Sequence, residues 1–444
     1  MSFTSPVFLF AFLPLTVIVY QLARSTKLKN AVWIAAGLLF YAFGDLRHLP
    51  LLLGSCLLHY GAGRYLMART KARRAVLLSC VTLDLAVLAF YKVRGALPLG
   101  ISFYTFQAIS YVADTYKNPA DGTKNLREAL QYLTFFPQLT AGPFLKFSAL
   151  RPYLDRRETT WEKNAQGVRR FVCGLCKKAL LSTAAAKLAD AMFSLASIDA
   201  LGAWTGALSY CLQLYFDFSG YSDMALGLGL LFGVQLPENF RYPYGAGSVT
   251  EFWRRWHMTL SGWFRDYVYI PLGGSRKGRA RTVFNKLLVF LATGLWHGTG
   301  WAFVLWGLWH GAFCGAETLL DRNKTLKTHW YGHVYTLLVV IFGFVLFRAE
   351  SVPQALMLLR TMLSGFTPVD ACRLALRNLL TAGTVFWCLA GVLACLPLWE
   401  HAKARFGGSR WLSAVLDTLT IVGLLLCLMQ LASHSFQPFI YASF

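Results

Sequence analysis

Three short tracts hold side chains that could carry a reaction, and all of them fall between residues 210 and 311. The most telling is Gly294-Leu-Trp-His-Gly-Thr-Gly-Trp301, echoed by Gly307-Leu-Trp-His-Gly311. A neutral imidazole in an apolar span is an economical general base near neutral pH, because burial disfavours imidazolium and keeps the ring ready to accept a proton. Glycines on both sides let a substrate or a second backbone come close. His297 and His310 are thirteen residues apart. On one unbroken helix that is a rise of roughly 20 Å and a rotation of roughly 220°, too far for one reaction centre. Gly298 and Gly300 open the backbone around His297, so His297 is the expected base. His310 is expected to be a hydrogen-bonded packing residue.

The second tract is Glu251-Phe-Trp-Arg-Arg-Trp-His-Met-Thr-Leu-Ser-Gly-Trp-Phe-Arg-Asp266. Read as one helix, it puts His257 on an aromatic face with Trp253, Leu260 and Phe264. Arg254, Met258, Ser261 and Arg265 then form a neighbouring cationic face. Such a segment suits a re-entrant or interfacial helix enclosed in protein. A plain Trp/Arg anchor at the interface explains the arginines equally well, but not His257. The third tract, Tyr210 to Asp223, sets Gln213, Asp217, Ser219 and Asp223 in otherwise apolar, glycine-rich sequence. A carboxylate there is expensive and faces a cavity or a partner. Asp217 is either part of the site or an acid that orders a neighbouring segment, and both readings stand. No H-x-x-x-H, H-E-x-x-H or C-x-x-C…H spacing links the histidines, so no metal is expected. The G-x-S-x-G elbow is absent as well.

These tracts need a scaffold, and the composition says what solvent it is built for. Of 444 residues, 56% are hydrophobic and 14% charged, where a soluble domain carries about a quarter charged. Apolar windows of spanning type occur at Val7–Leu22, Ala31–Phe43, Pro50–Met67, Ala75–Tyr91, Val283–Ala302, Trp330–Phe347, Thr384–Trp399 and Leu412–Ala432. Shorter or glycine-broken windows lie near Ile101–Ala113, Tyr132–Phe144 and Tyr210–Val234. The expected fold is an all-α polytopic membrane protein of roughly ten to twelve spans, with re-entrant or interfacial helices. It forms one membrane domain over residues 1–444, with N-terminal spans to 128, a core at 129–321 and C-terminal spans at 322–444.

The net charge of +22 would raise nucleic acid as a partner for a soluble chain. Here the cations cluster at window ends: Arg24, Lys27 and Lys29; Arg69, Lys71, Arg73 and Arg74; Arg276, Lys277, Arg279, Arg281 and Lys286; Lys403, Arg405 and Arg410. That is the signature of cytoplasmic loops, and it excludes nucleic acid in favour of the bilayer. The same loops would attract anionic lipid or coenzyme phosphates. The first apolar run has its basic flank only after it, so it reads as a span with its N-terminus outside, not as a cleaved signal. The ten cysteines show no framework spacing. Cys173 and Cys176, followed by Lys177 and Lys178, are expected to be incidental on an interfacial helix.

Taken together the tracts resemble the membrane-bound O-acyltransferase family (MBOAT), and its bacterial alginate O-acetyltransferase branch in particular. The resemblance rests on Glu238-Asn-Phe-Arg-Tyr-Pro-Tyr, the Trp253–Asp266 segment, Tyr269-Ile-Pro-Leu-Gly-Gly-Ser-Arg-Lys-Gly278 and Leu295-Trp-His-Gly298. Supporting tracts are Pro98–Gln107, Phe135–Pro143, Phe347-Arg-Ala-Glu-Ser351 and Pro438-Phe-Ile-Tyr441. It implies a multi-pass protein of the bacterial cytoplasmic membrane whose helices form a funnel around a buried histidine. An acyl thioester, acetyl-CoA, would enter from the cytoplasm and meet an acceptor hydroxyl of an exopolysaccharide such as alginate from the far side. It further implies an extracytoplasmic acyltransferase partner that passes the group on. The family's catalytic histidine falls on His297 and its second characteristic one on His257. Gln213, Asp217, Asn239, Arg254, Trp256, Ser261 and Trp296 are the expected substrate-binding or supporting residues, with the Trp296 indole a neutral donor for the oxyanion. Arg276, Lys277 and Arg279 are candidates to hold the coenzyme's phosphates. No cofactor is expected to be bound; the thioester is a substrate.

The D-alanyl transferase of teichoic acids, a sister branch using a carrier-protein thioester, shares the W-x-R-W-H and W-H-G segments and is the nearest alternative. A polysaccharide transporter or flippase would show repeated halves with paired broken helices, and no such repeat is visible. A non-catalytic membrane scaffold would leave the buried histidines without a purpose.

Overall fold

The structure, a computed structural model, describes residues 1–68, 71–321, 323–407 and 409–433. Arg69 and the Pro438–Tyr441 tract lie outside the described residues. Every regular element among the described residues is a helix, as a chain in lipid requires, since a helix satisfies its own backbone polar groups.

The helices used below are α1 (Leu13–Leu22), α2 (Thr26–Asp45), α3 (Leu49–Met67), α4 (Arg73–Arg94), α5 (Ile101–Lys117), α6 (Trp161–Cys176), α7 (Ala200–Leu231), α8 (Val249–Arg255), α9 (Met258–Phe264), α10 (Arg279–His297), α11 (Trp301–Leu319), α12 (Trp330–Arg348), α13 (Asp370–Leu379), α14 (Ala382–Ala394) and α15 (Arg410–Ala432). By length and apolarity α4, α12 and α15 each suffice to cross a membrane, and α13 with α14 meets the same test as a pair bent by 85°. Only 6% of the most apolar window of α15 is buried. A helix so apolar and so bare is stable only with hydrocarbon around it.

The apolar windows become helices much as their length predicts. Ala31–Phe43 lies within α2, Pro50–Met67 within α3 and Trp330–Phe347 within α12, while Tyr132–Phe144 is broken into Leu126–Leu133, Phe136–Leu139 and irregular chain. Two expectations are corrected. The glycine-rich Tyr210–Val234 window is not broken: α7 runs unbroken for 32 residues. Its glycines serve close approach instead. A Cβ on Gly227 would meet the Gly167 carbonyl and the Phe171 nitrogen, which lets α6 and α7 lie backbone to backbone. Conversely, the Val283–Ala302 window is two helices, with the chain turning at Gly298–Gly300 between α10 and α11.

The chain forms two compact units. The first comprises residues 1–172 and 221–238. Its core is aromatic: Phe3 stacks on Tyr221 at 4.6 Å and meets Phe8 and Phe40 at 5.0 and 5.6 Å. Several of the polar groups buried inside it find partners, as burial favours. His59 on α3 meets Asp84 on α4 at 2.9 Å, and Asn30 on α2 receives hydrogen bonds from Gln131 and Arg157. The second unit comprises residues 173–220 and 239–440, and it holds both histidine tracts.

Candidate active site

His297 is the last residue of α10, and the chain leaves it through Gly298 in an extended conformation. The helices α10 and α11 come back on each other because glycines remove the side chains between them. A Cβ on Gly307 would strike the Phe290 carbonyl, and one on Gly294 the Phe303 carbonyl. Beyond the turn, a Cβ on Gly298 would run into the Phe303 ring. His297 therefore lies at the tip of a tight hairpin, 4% exposed. Its imidazole is walled by Trp296 at 4.7 Å, Trp306 at 5.1 Å and Phe347 at 5.1 Å, the last two edge-on at 90° and 81°.

The turn overturns the argument that separated the two histidines. They do not share a helix, and Trp306 touches both, with His310 at 5.4 Å. His310 is not the hydrogen-bonded residue expected. It is fully buried, and neither ring nitrogen has a hydrogen-bond partner among the described residues. It packs instead as a ring, edge-on to Trp253 at 5.0 Å and against Gly343, where a Cβ would collide with its Nε2.

The Glu251–Asp266 tract is not one helix. It breaks between α8 and α9, and His257 occupies the break with φ 43° and ψ 54°. A left-handed conformation is unusual for a side chain of this size and costs about 1–2 kcal/mol. Asn239 holds it there. The Met258 amide donates to the Asn239 carbonyl at 2.9 Å, and the Arg241 amide donates to the Arg255 carbonyl at 2.9 Å. The Asn239 side-chain oxygen accepts from the Thr259 amide at 3.3 Å and the Thr259 hydroxyl at 2.9 Å, and lies 3.1 Å from His257 Nδ1. An amide N–H can only donate, so the Asn239 atom is the oxygen, and His257 Nδ1 must carry its proton toward it. The Nε2 atom then bears the imidazole lone pair.

The break also disperses the expected faces. Arg254 is exposed, whereas Ser261 turns back to donate to the Trp253 carbonyl at 3.2 Å. Trp256 is buried in a ring cluster, with Phe240 at 5.1 Å, Phe344 at 5.3 Å and Phe252 at 5.5 Å. Trp253 reaches the hairpin, meeting Trp306 at 5.6 Å. Rings thus run continuously from the α8 segment that precedes His257 to the wall of His297.

Asp217 is fully buried and ion-paired with Lys178, itself 3% exposed, from the π-helical turn Lys177–Ser182. Burial of either charge without the other would be costly. The sequence signal for such a partner was a carboxylate in a span awaiting a counter-ion. Next to Asp217, Phe218 stands edge-on to His257 at 4.5 Å. Gln213 is buried on the same helix, its side-chain oxygen without a hydrogen-bond partner among the described residues. The structure brings His257, Asn239 and the Asp217 segment together, and His297, Trp296 and Trp306 together. It leaves Arg254 outside. Trp306, Phe347 and Lys178 were not singled out by the sequence, because nothing in their spacing distinguishes them from packing or topology.

Among the described residues no three His, Cys, Asp or Glu side chains cluster as metal ligands would. The basic loop before α10 is shaped by Gly273, Gly274 and Gly278, all at positive φ. The Asn285 amide pins it by donating to the Gly274 carbonyl at 2.9 Å, while Arg276, Lys277 and Arg279 stay exposed.

The family model of the membrane-bound O-acyltransferases matches residues 108–358, which include both histidine tracts and Asp217. Over their full lengths, this chain is 36% identical to the probable alginate O-acetylase AlgI of Pseudomonas putida. It is 35% identical to the peptidoglycan O-acetyltransferase of Helicobacter pylori, over 84% of this chain and 81% of that protein. With the teichoic acid D-alanyltransferase of Bacillus subtilis it shares 27% identity over 57% of this chain and 69% of that protein.

Proposed function

From the premise that the chain belongs to the membrane-bound O-acyltransferase family, and is therefore a multi-pass membrane O-acyltransferase, we propose that it moves an acetyl group from acetyl-CoA to an envelope-polysaccharide hydroxyl. In this reading the donor arrives on the cytoplasmic side of a bacterial inner membrane. The acceptor is a sugar hydroxyl on the far side, or a partner protein there that passes the group on.

The observation that carries the reading is the setting of His297, a buried imidazole at a hairpin tip, enclosed by the rings of Trp296, Trp306 and Phe347. In the proposed step the acceptor oxygen attacks the thioester carbonyl carbon while His297 takes the hydroxyl proton. The tetrahedral intermediate collapses, the carbon–sulfur bond breaks, and the imidazolium returns the proton to the departing thiolate. The ester and the free thiol balance the reaction. His257, with Nδ1–H held by Asn239, orients the acceptor through Nε2, and the Trp296 indole N–H is a neutral donor for the oxyanion. Aromatic walls keep water from competing for the thioester. Arg276, Lys277 and Arg279 offer charges to the coenzyme's phosphates at the cytoplasmic end of α10.

Acetylase names among the relatives over nearly the whole chain favour acetyl over D-alanyl transfer. The test is turnover of radiolabelled acetyl-CoA by purified protein in lipid, wild type against His297→Ala. Label leaving the thioester only with the wild type is the expected result. Equal turnover removes His297 from the chemistry. Turnover only with a carrier-protein thioester moves the donor assignment to the D-alanyl type.

A further inference from the structure

Glu317 lies outside both histidine tracts yet grips the helix that precedes one of them. It projects from α11, is 3% exposed, and spends both carboxylate oxygens on the first turn of α8. Oε1 accepts from the Val249 amide at 2.7 Å and Oε2 from the Thr250 amide at 2.9 Å. A helix start leaves its first four N–H groups without intrahelical acceptors. Glu317 takes two of them, and the Ser248 hydroxyl takes that of Glu251 at 3.1 Å. The negative charge also suits the positive end of the helix dipole. The contact is enclosed by Val249, Cys314 and Val339, with Trp253 and Phe290 packed against them.

We propose that Glu317 is a positioning residue for acyl transfer: through α8 it fixes where His257 stands against the hairpin that carries His297. This rests on the reading of the two histidines as the reacting site. The mechanics follow from the helix lengths. α8 has seven residues, about 10 Å, and His257 follows it after one residue, so a displacement at Val249 is passed on with little damping. Ring packing alone holds α8 against α11 but lets it slide; two charge-assisted bonds to consecutive amides set its register. A misplacement of about 1 Å at a reacting group costs on the order of 100-fold in rate.

The test measures kcat and KM for acetyl-CoA in lipid, with thermal unfolding in parallel. The proteins are wild type, Glu317→Gln, Val249→Pro, His257→Ala and the double variant Glu317→Gln/His257→Ala. Val249→Pro deletes one donor to Glu317 at a first-turn position that accepts proline, and it carries the test if Glu317→Gln does not fold. Ser248, already extended at ψ 155°, suits a following proline. Expected is a fall in kcat of about 10- to 100-fold with KM within about twofold, for either variant. In the His257→Ala background, Glu317→Gln should cost no more than about twofold further. The proposal is overturned by wild-type kcat in Glu317→Gln while His257→Ala is impaired. It is overturned too by losses that multiply in the double variant, or that merely track the folded fraction. Wild-type kcat in His257→Ala would instead bring down the site reading, and this proposal with it.

Discussion

His257 Nδ1 lies 3.1 Å from the side-chain oxygen of Asn239, and that one bond decides which ring nitrogen carries the proton. Because the same oxygen accepts from the Thr259 amide, its identity is fixed by its neighbours. Asn239→Ala removes the acceptor for three donors at once. A buried donor left unsatisfied costs about 1–3 kcal/mol, so the protein should lose several kcal/mol or rearrange the break at His257. Asn239→Asp keeps the acceptor and should retain far more activity than Asn239→Ala. Comparing kcat of the two, normalised to folded protein, checks it; equal loss would mean that Asn239 acts in some way other than by accepting.

Lys178 and Asp217 form an ion pair in a dry setting. Removing one partner strands the other charge and should cost about 3–5 kcal/mol, whereas replacing both with apolar residues of similar volume can be close to neutral. Lys178→Met should therefore unfold at a much lower temperature than Lys178→Met/Asp217→Leu. Thermal unfolding in lipid reads this directly. If the double variant is as unstable as the single, the pair does more than neutralise itself.

How much of this was legible beforehand depends on the range of the interaction. Helix positions follow from apolar run length, a local property, so α2, α3 and α12 sit where their windows lie. The buried histidines were visible because an imidazole between glycines in an apolar tract has few other uses. Helix continuity was not legible at Gly298–Gly300 or at His257. Nothing local distinguishes a glycine that ends a helix, as Gly298 does, from one that admits a neighbour, as Gly227 does. The distinction is made by Phe303 in one case and Gly167 in the other, both supplied by tertiary packing. For the same reason the counter-ion of Asp217 could be demanded by electrostatics but not named.

The α10–α11 hairpin gives a sharper test of packing. A Cβ on Gly307 would fall inside contact distance of the Phe290 carbonyl, and backbone cannot swing aside as a side chain does. Gly307→Ala should cost about 1–3 kcal/mol by overpacking and lower kcat by shifting Trp306 and with it the wall of His297. Gly262→Ala is the control, since a Cβ there has open space; it should leave stability within about 1 kcal/mol, glycine being the poorer helix former. Unfolding temperatures of the two variants settle the comparison.

Arg276, Lys277 and Arg279 are exposed on the loop that Asn285 pins before α10. If they meet the donor's phosphates, reversing two of them to glutamate should raise KM for acetyl-CoA about 10-fold or more, with kcat little changed, since the contacts are the same in ground and transition states. The effect should shrink as salt is raised, because exposed charges are screened within about 10 Å at 0.1 M. An unchanged KM would return these residues to the simpler task of setting membrane orientation.

His297 and His310 share Trp306 as a neighbour, at 5.1 and 5.4 Å, so they make a matched pair for separating chemistry from packing. His310 has no hydrogen bond at either ring nitrogen among the described residues and rests against Trp253 and Gly343. Replacing an unsatisfied buried polar ring by an apolar side chain removes a desolvation cost and leaves most contacts intact. His310→Leu should therefore keep kcat within a few-fold and be as stable as wild type, within about 1 kcal/mol. His297→Ala should fold, because its ring is a wall of the aromatic enclosure rather than its support, yet lose on the order of 100- to 10,000-fold in kcat with the general base gone. Thioester turnover and unfolding temperature, measured on both variants, distinguish the cases. Should His310→Leu lose as much kcat as His297→Ala while remaining folded, the base would not be one imidazole but a pair working across Trp306.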